Sequence, residues 1–272
     1  MVFLLFIISA QSVYSSTYYP TDFKESLKNG FSKDVDMKEK LFLIMDKKHI
    51  RVKGKDDILA DHCGQEGSCY GQKSLGYKTA RRVLFGKLHL KQNKSGYFVK
   101  DVYCGKIITK NVSNVGPDII PKNSVMNCEH TWPQSRFNTS FPKGTQKSDL
   151  HHLFPTDSKA NGIRGNSEFA EVNGFPLNNC KGSFEGAERA MSGRYFEPPA
   201  EQRGNTARAL FYFSVRYKLK IRSVEESYLR KWHEDDPADQ DEIDRNDMIH
   251  KIQGNRNPFI DYPNLVDEVS NF

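Results

Sequence analysis

The sequence lacks three patterns that would assign it to large classes of protein. It has no run of about 18 uninterrupted apolar residues, the length that a membrane-spanning helix needs. It has no CxxC pair and no repeated Cys/His spacing of the kind that structural zinc sites use. It also has no internal repeat and no low-complexity segment. The pattern therefore disfavours a membrane protein, a zinc-finger protein and a repeat protein.

Cysteine is scarce, with five in 272 residues: Cys63, Cys69, Cys104, Cys128 and Cys180. Cys63 and Cys69 are close enough in sequence to form a disulfide across a Gly-rich loop, and two of the other three can also pair. An odd number leaves one thiol over, and the connectivity stays open. Disulfides of this kind are expected only if the protein is exported from the cytosol.

The apolar run at the N-terminus, Val2 to Ile8, is too short to span a bilayer and is followed by small residues. It predicts a secretory signal peptide over residues 1–16, although no Lys or Arg precedes the run. A buried N-terminal strand is the alternative. We expect residues 17–272 to form one domain with no membrane-spanning segment.

The remaining composition is that of a globular protein with a moderately basic surface. The 18 Phe and 12 Tyr are enough to fill a sizeable core. The net charge of +6 and the isoelectric point near 8.9 suit an anionic partner such as nucleic acid. Many basic proteins bind no such partner, so the charge alone does not assign a function.

The order of the secondary-structure signals predicts an α+β protein. Two amphipathic helices are expected within 21–47, with a break at Gly30. Short β-prone runs separated by turns follow from 97 to 154, and a helix is expected to begin with Thr156 or Asp157 as its cap. The predicted architecture is a small β-rich centre wrapped by helices.

Most of the chain after that point reads as helical. The segment "NTARALFYFSVRYKL" is apolar on most sides, which predicts a buried helix. The segment "SVEESYLRKW" begins with a potential capping box of Ser223 and Glu226. A further helix is expected to start at Pro237 and to end at Gly254.

The stretch "NCEHTWPQSRF" places an acid and an imidazole side by side, at Glu129 and His130. On a strand, adjacent side chains point to opposite faces, so these two do not both bind one metal in the simplest geometry. The two side chains are therefore expected to have different roles. The carboxylate holds a hard cation such as Mg²⁺ or Ca²⁺, and the imidazole, with its pKa near neutrality, transfers a proton.

A second polar cluster, "SDLHHLFPTDSKANGIRGN", follows within a short distance and includes Asn161 and Arg164. A hard cation with few protein ligands takes its other ligands from water and substrate, and phosphate oxygens are its usual partners. The two clusters together therefore favour phosphodiester chemistry. The structural alternative is that Glu-His pairs occur by chance, and that His151 and His152 are strand residues bonded to the backbone.

Three ordered stretches, "EHTWPQSRF", "DLHHLFPTDSKANGIRGN" and "KIQGNRNPFIDYP", resemble the bacterial endonuclease I family, and the resemblance covers roughly residues 75–265. It implies an exported, sequence-nonspecific nuclease located in the periplasm or secreted. It also implies a fold in which a ββα-metal (His-Me finger) core lies within a mostly helical single domain. The substrates implied are DNA and also RNA, contacted through the phosphate backbone.

The resemblance also assigns roles to individual residues. It makes His130 the general base, and it makes Glu129 and Asn161 the protein ligands of one Mg²⁺ ion, for which Ca²⁺ or Mn²⁺ can substitute. Water attacks the phosphorus in line with the departing 3′ oxygen, so the products are expected to carry 5′-phosphates.

The residue that holds the substrate phosphate is not determined by the resemblance. Some family members have an arginine between the two motifs, but Arg136 and Lys143, which lie in that interval here, do not align cleanly. Arg164 and Arg208 are the other candidates. In "QGNRNPF" we expect a structural role, in which Gly254 ends a helix and a turn anchors Phe259.

Two functions from other classes remain open. The first is a secreted nucleic-acid-binding protein with a degenerate catalytic site. The second is a zinc-dependent hydrolase, or a structural zinc protein, that uses Cys128, His130 and their neighbours. The metal found after purification discriminates the second alternative from a magnesium nuclease.

Overall fold

The computed structural model describes residues 17–29, 35–64, 68–180, 182–188 and 193–272. The predicted signal peptide, residues 1–16, and the predicted helix break at Gly30 lie outside these ranges. No helix within them is long and apolar enough to cross a membrane.

Helices and strands alternate along the chain, so the fold is a mixed α+β one. About 42% of the described residues are helical, which is less than the mostly helical fold that the sequence predicted. The helices are α1 (Thr21–Asn29), α2 (Val35–Asp46), α3 (Tyr77–Val83), α4 (Lys143–Lys147), α5 (Ser158–Arg164), α6 (Ala200–Arg216), α7 (Ser223–Asp235), α8 (Gln240–Gln253) and α9 (Pro258–Asp261). A π-helical turn, Leu84–Leu88, extends α3.

Four small sheets carry the strands. The strands are β1 (Lys48–Ile50), β2 (Ile58–Ala60), β3 (Cys69–Tyr70), β4 (Leu90–Asn93), β5 (Gly96–Lys100), β6 (Ile107–Thr109), β7 (Met126–His130), β8 (Leu153–Asp157), β9 (Glu168–Phe169), β10 (Val172–Pro176), β11 (Phe184–Glu188) and β12 (Tyr195–Glu197). The strand orders are β2-β1-β3, β4-β5-β6, β7-β8 and β10-β11-β12-β9. Among the strands that the structure describes, only the β12–β9 pair is parallel.

Two hydrophobic cores hold these elements together. The larger is built around α6, whose residues from Thr206 to Arg216 are all buried, as the apolar pattern of that segment predicted. The smaller lies between α3 and the strands β5 and β7. Met126 and Cys128 of β7 belong to the smaller core, whereas Ala160 of α5 belongs to the larger. The β7–β8 pair and α5 therefore lie where the two cores meet.

The pair β7–β8 and the helix that follows it are the part of the fold on which the proposed site depends. The strands are antiparallel, with Asn127 opposite Thr156 and Glu129 opposite Phe154. Helix α5 begins immediately after β8, and the Asp157 carboxylate caps it by accepting the backbone N–H groups of Lys159 and Ala160. The sequence predicted this cap correctly.

The strands between 168 and 197 were not expected, because that part of the chain read as mainly helical. Two glycines explain why the sequence was misleading. Gly174 of β10 and Gly186 of β11 lie opposite each other, and a Cβ on Gly174 would collide with the backbone of β11. Glycine normally weakens a strand, but here it permits the close approach of two backbones.

Two predicted helix starts were wrong. Ser223 does not cap α7: Arg222 occupies the cap position and no side chain bonds there, while Glu226 pairs with Arg230 instead. Helix α8 starts at Gln240 rather than near Pro237, because the Asp239 side chain accepts the Glu242 N–H at 2.8 Å. In the first case Arg230 engages Glu226, the predicted partner of the cap, and in the second Asp239 supplies the cap two residues after Pro237.

The end of α8 is as predicted. Gly254 ends the helix with a φ of +92°, and a Cβ at this position would meet the carbonyl of Gly71. The Asn257 side chain then accepts the N–H of Phe259 at 3.0 Å, and the Phe259 ring is fully buried. This segment therefore has the structural role that we expected from the sequence.

The cysteines also follow the predicted pattern. Cys63 pairs with Cys69, and Cys104 pairs with Cys180 across a sequence separation of 76 residues. Cys128 is the thiol left over, and it is buried.

Candidate active site

A cleft of about 320 Å³ opens where β7 ends and α5 begins. Among the residues that line it are Asn127, Glu129 and His130 from β7 and Asn161 and Gly162 from α5. They meet because β8 returns antiparallel to β7 and leads directly into α5. The acid, the imidazole and the amide that the sequence selected therefore share one cavity.

The imidazole of His130 is held in one tautomer. Its Nε2 lies 3.1 Å from the carbonyl oxygen of Lys147, and since a carbonyl only accepts, Nε2 must carry the proton. The Nδ1 atom is then the acceptor of the neutral ring, and the Gln134 amide lies 3.4 Å from it. Burial lowers the pKa of His130 to about 4, so the ring is neutral at pH 7. Nδ1 is therefore available as a base.

Glu129 lies on the opposite face of β7 and has different partners. Its side chain is only 2% exposed, and Oε1 lies 2.9 Å from Nη1 of Arg164 and 2.9 Å from the hydroxyl of Tyr103, which donates to it. Burial raises the pKa of Glu129, while the Arg164 charge and the Tyr103 hydrogen bond act to lower it. Both contacts use Oε1, and among the described residues no contact of Oε2 is found.

Asn161 is oriented by a neighbour on the strand. Its Nδ2 donates to Oδ1 of Asn127 at 2.6 Å. Because one end of the amide is engaged in this way, the other end, Oδ1, is the atom left to bind a ligand. Asn127 and Glu129 lie on the same face of β7, since side chains alternate along a strand.

The donor set matches a hard divalent cation. It consists of one carboxylate oxygen and one amide oxygen, and Mg²⁺ prefers oxygen ligands and keeps several waters when it has few protein ligands. Among the described residues no group of three or more His, Cys, Asp or Glu side chains is placed to hold a metal. Burial also raises the pKa of the Cys128 thiol to about 12, and zinc binds the thiolate. The cleft therefore does not favour the zinc alternative.

Arg164 and Arg208, two of the four candidate phosphate-binding residues, lie in the protein interior. Arg164 is 1% exposed, and besides Glu129 it donates to the backbone oxygens of His130 and Thr131. Arg208 is fully buried and donates to both carboxylate oxygens of Glu242. A phosphate would have to displace these partners, so we do not retain either residue as a clamp.

Arg136 and Lys143 are more accessible. The Arg136 side chain is 35% exposed and pairs with Glu168 at 3.4 Å. Lys143, the first residue of α4, is exposed. Neither residue lines the cleft that contains His130, so neither contacts a phosphate bound next to that imidazole. These two side chains can contact only other phosphates of a longer substrate.

Three residues of the site were missed by the sequence analysis. Asn127 was detectable, because it precedes Glu129 by two residues on a strand and so shares its face. Gln134 follows His130 by four residues, but no local pattern predicts that its amide reaches Nδ1. Tyr103 gave no signal at all, since it is 26 residues from Glu129 and only the tertiary fold brings them together.

Comparison with known proteins places the sequence of this chain in a family. A family model described as Endonuclease I matches residues 67–264, which is well over half of the chain. The match includes both strands and the helix of the cleft.

Individual relatives agree with the family match. The chain is 36% identical to an extracellular ribonuclease of Bacillus subtilis over 163 residues, which are 53% of each chain. It is 36% identical over 115 residues to a periplasmic deoxyribonuclease of Aeromonas hydrophila, covering 42% of this chain and 48% of that one. It is also 27% identical to Endonuclease-1 of Buchnera aphidicola subsp. Acyrthosiphon pisum, over 71% of this chain and 84% of that one. The chain spans about half the length of the first two relatives.

Proposed function

Because this chain belongs to the endonuclease I family, we propose that it is an exported, metal-dependent endonuclease that hydrolyses phosphodiester bonds in DNA and RNA. Relatives named as a ribonuclease and as deoxyribonucleases support both substrates, and their extracellular or periplasmic locations support export. The two disulfides fit the same environment.

One observation carries the proposal. His130, Glu129 and Asn161 line a single cleft, and the hydrogen bond from Nε2 to the Lys147 carbonyl leaves the His130 lone pair on Nδ1. A base fixed in this way removes a proton from water as the water attacks phosphorus. The ring does not have to lose a proton first, because burial keeps it neutral at pH 7.

Glu129 and Asn161 would hold the metal ion, for which Mg²⁺ fits the donor set best. The ion supplies Lewis-acid stabilisation of negative charge on the phosphate. Arg164 and Tyr103 hold the Glu129 carboxylate through Oε1, which would leave Oε2 to bind the ion. The 3′ oxygen departs in line, and the products therefore carry 5′-phosphates.

Sequence preference is not expected. The proposed contacts are made to phosphates, which carry no sequence information. Binding should therefore depend strongly on salt, because counterions are released from the substrate backbone.

A plasmid-nicking assay tests the proposal. The wild type, His130→Ala and the control His62→Ala, which changes an exposed histidine outside the cleft, are compared in Mg²⁺ and in EDTA. We expect cleavage only by the wild type and His62→Ala, and only in Mg²⁺. Circular dichroism and a thermal melt verify that His130→Ala is folded.

Three other outcomes have a clear meaning. If a folded His130→Ala variant cuts at the wild-type rate, His130 is not the base. If the wild type binds DNA but cuts nothing under any condition, the chain is a nucleic-acid-binding protein with a degenerate site. Stoichiometric zinc in the purified protein would support the zinc alternative.

A further inference from the structure

A second cleft, of about 420 Å³, lies next to the candidate active site. The two clefts share Gly162, Gly165 and Asn166 in their linings, so they are continuous around the C-terminal end of α5. An extended ligand bound in the first cleft therefore has a direct path into the second.

The second cleft is positively charged. Arg136, Arg194 and Arg222 line it, and their side chains are 35%, 61% and 81% exposed. Two carboxylates oppose these three guanidinium groups: Glu168 lies 3.4 Å from Arg136 and 3.2 Å from Arg222, and Glu185 pairs with Arg194. One positive charge remains after this pairing.

The ion pairs do not remove the arginines from use by a ligand. The Arg194–Glu185 pair is exposed, and it contributes little free energy because water competes for both partners. Glu168 is largely buried, and its one carboxylate is shared by the guanidinium groups of Arg136 and Arg222. The closest contact of Arg222 with Glu168 is made by Nε, and the rest of its guanidinium belongs to a side chain that is 81% exposed. A planar fork of N–H groups matches the oxygens of a phosphate.

Gly162, the residue at the boundary of the two clefts, has no structural reason to be glycine. It lies in the middle of α5 with no positive φ, and a Cβ built there would meet nothing within 4 Å. Gly204 in α6 is different, because a Cβ there would collide with the carbonyl of Asp236. Glycine in a helix costs roughly 1 kcal/mol relative to alanine. A glycine that packing does not require is expected where a ligand approaches the backbone closely.

We propose that the polynucleotide strand next to the cleaved bond passes over Gly162, and that its neighbouring phosphates lie in the cleft lined by Arg136, Arg194 and Arg222. The inference rests on the proposed nuclease function and adds the path of the substrate. It also separates the roles of the charged residues. Arg164 and Arg208 stabilise the fold from the interior, whereas the three exposed arginines contact the substrate.

The variant Gly162→Ala tests the first part of this path. The added methyl group should stabilise α5 and raise the melting temperature, yet it should raise KM for single-stranded DNA on the order of tenfold, equivalent to about 1.4 kcal/mol of binding. Gly144→Ala is the matched control, because Gly144 lies in α4, its Cβ would also meet nothing within 4 Å, and it lines neither cleft. It should gain stability and keep the wild-type KM.

The double variant Arg194→Gln/Arg222→Gln tests the second part. Binding of a single-stranded oligonucleotide is measured by fluorescence anisotropy over a range of salt concentrations, in the His130→Ala background so that the probe stays intact. Loss of two phosphate contacts should reduce the slope of log K against log salt by about 1.4. The control Lys91→Gln/Lys218→Gln also removes two exposed, ion-paired charges, and it should leave the slope unchanged.

The outcomes separate this inference from the proposed function. If the wild type cuts DNA, but Gly162→Ala keeps the wild-type KM or the arginine variant keeps the wild-type slope, the path is wrong and the nuclease assignment stands. Equal changes in the test variants and their controls would also overturn the path, because they would show only a general effect of helix stability or net charge. If the wild type does not cut, the nuclease assignment itself is wrong, and the proposed substrate path is wrong with it.

Discussion

Removal of the Cys104–Cys180 disulfide is the perturbation whose effect the structure determines best. The bond closes a loop with a sequence separation of 76 residues, and the chain-entropy relation assigns about 4.5 kcal/mol to a loop of that length. Single domains are commonly stable by only about 5–15 kcal/mol. The double variant Cys104→Ala/Cys180→Ala should therefore lose a large part of its free energy of unfolding.

The other disulfide provides a matched control within the same chain. Cys63 and Cys69 are separated by 6 residues, for which the same relation gives about 2.2 kcal/mol. Both double variants replace two cysteines by two alanines, so their difference isolates the effect of loop length. We expect the Cys104 variant to be less stable than the Cys63 variant by about 2 kcal/mol.

The long-range bond also supports the candidate active site. Tyr103, next to Cys104, donates its hydroxyl to Glu129, and its backbone carbonyl accepts the Ser183 hydroxyl at 2.8 Å. Loss of the disulfide should loosen Tyr103 and with it the Glu129 carboxylate. A higher Mg²⁺ concentration should then be needed for half-maximal cleavage, whereas the Cys63 variant should keep the wild-type requirement.

Urea unfolding, followed by intrinsic fluorescence, measures both variants. The free energies are obtained by linear extrapolation, with agreement between fluorescence and circular dichroism as the check on two-state behaviour. Equal losses in the two variants would refute the argument from loop length. A loss in the Cys104 variant of less than about 1 kcal/mol would refute the assigned magnitude.

Three further predictions concern buried or half-buried polar groups. Arg164→Met leaves the Glu129 carboxylate buried without its ion pair, so the free energy of unfolding should fall by about 3–5 kcal/mol, and a fall below about 1 kcal/mol would contradict the buried pair. Asn127→Leu removes the acceptor that orients Asn161, so calorimetry should show weaker Mn²⁺ binding, while Asn127→Asp should keep it; equal binding by the Leu variant would refute that role. Burial lowers the pKa of His151 to about 4, so below pH 6.5 the unfolded chain takes up a proton that the folded protein does not. Stability should therefore decline between pH 6.5 and pH 4, by about 2 kcal/mol from this residue at pH 5, and unchanged urea midpoints at pH 7 and pH 5 would count against it.

The local parts of the site were predictable because their signals lie within a few residues. The β-prone run "SVMNCEH" predicts a strand, Thr156 or Asp157 predicts the start of a helix, and the short spacing of Cys63 and Cys69 predicts a disulfide. The placement of Glu129 and His130 on opposite faces follows from strand geometry alone. Their different partners in the folded protein agree with that geometry.

The arginines show where sequence reasoning stops. Arg164 lies in a motif and was a candidate for phosphate binding, but its position in α5 directs it toward Glu129 and into the interior. Arg194 and Arg222 lie in no motif, yet the fold places them with Arg136 along one cleft. Whether an arginine is a buried ion-pair partner or a surface charge depends on which other chain segments surround it.

The sequence by itself determined the candidate reacting groups, the strand and helix that carry them, and the family resemblance. These depend on residue type, on short-range periodicity and on order along the chain. Only the tertiary structure decided the tautomer of His130, the partners of Glu129 and the continuity of the two clefts. Those properties arise from contacts between segments that are distant in sequence, such as Tyr103 with Glu129, and no local pattern encodes such contacts.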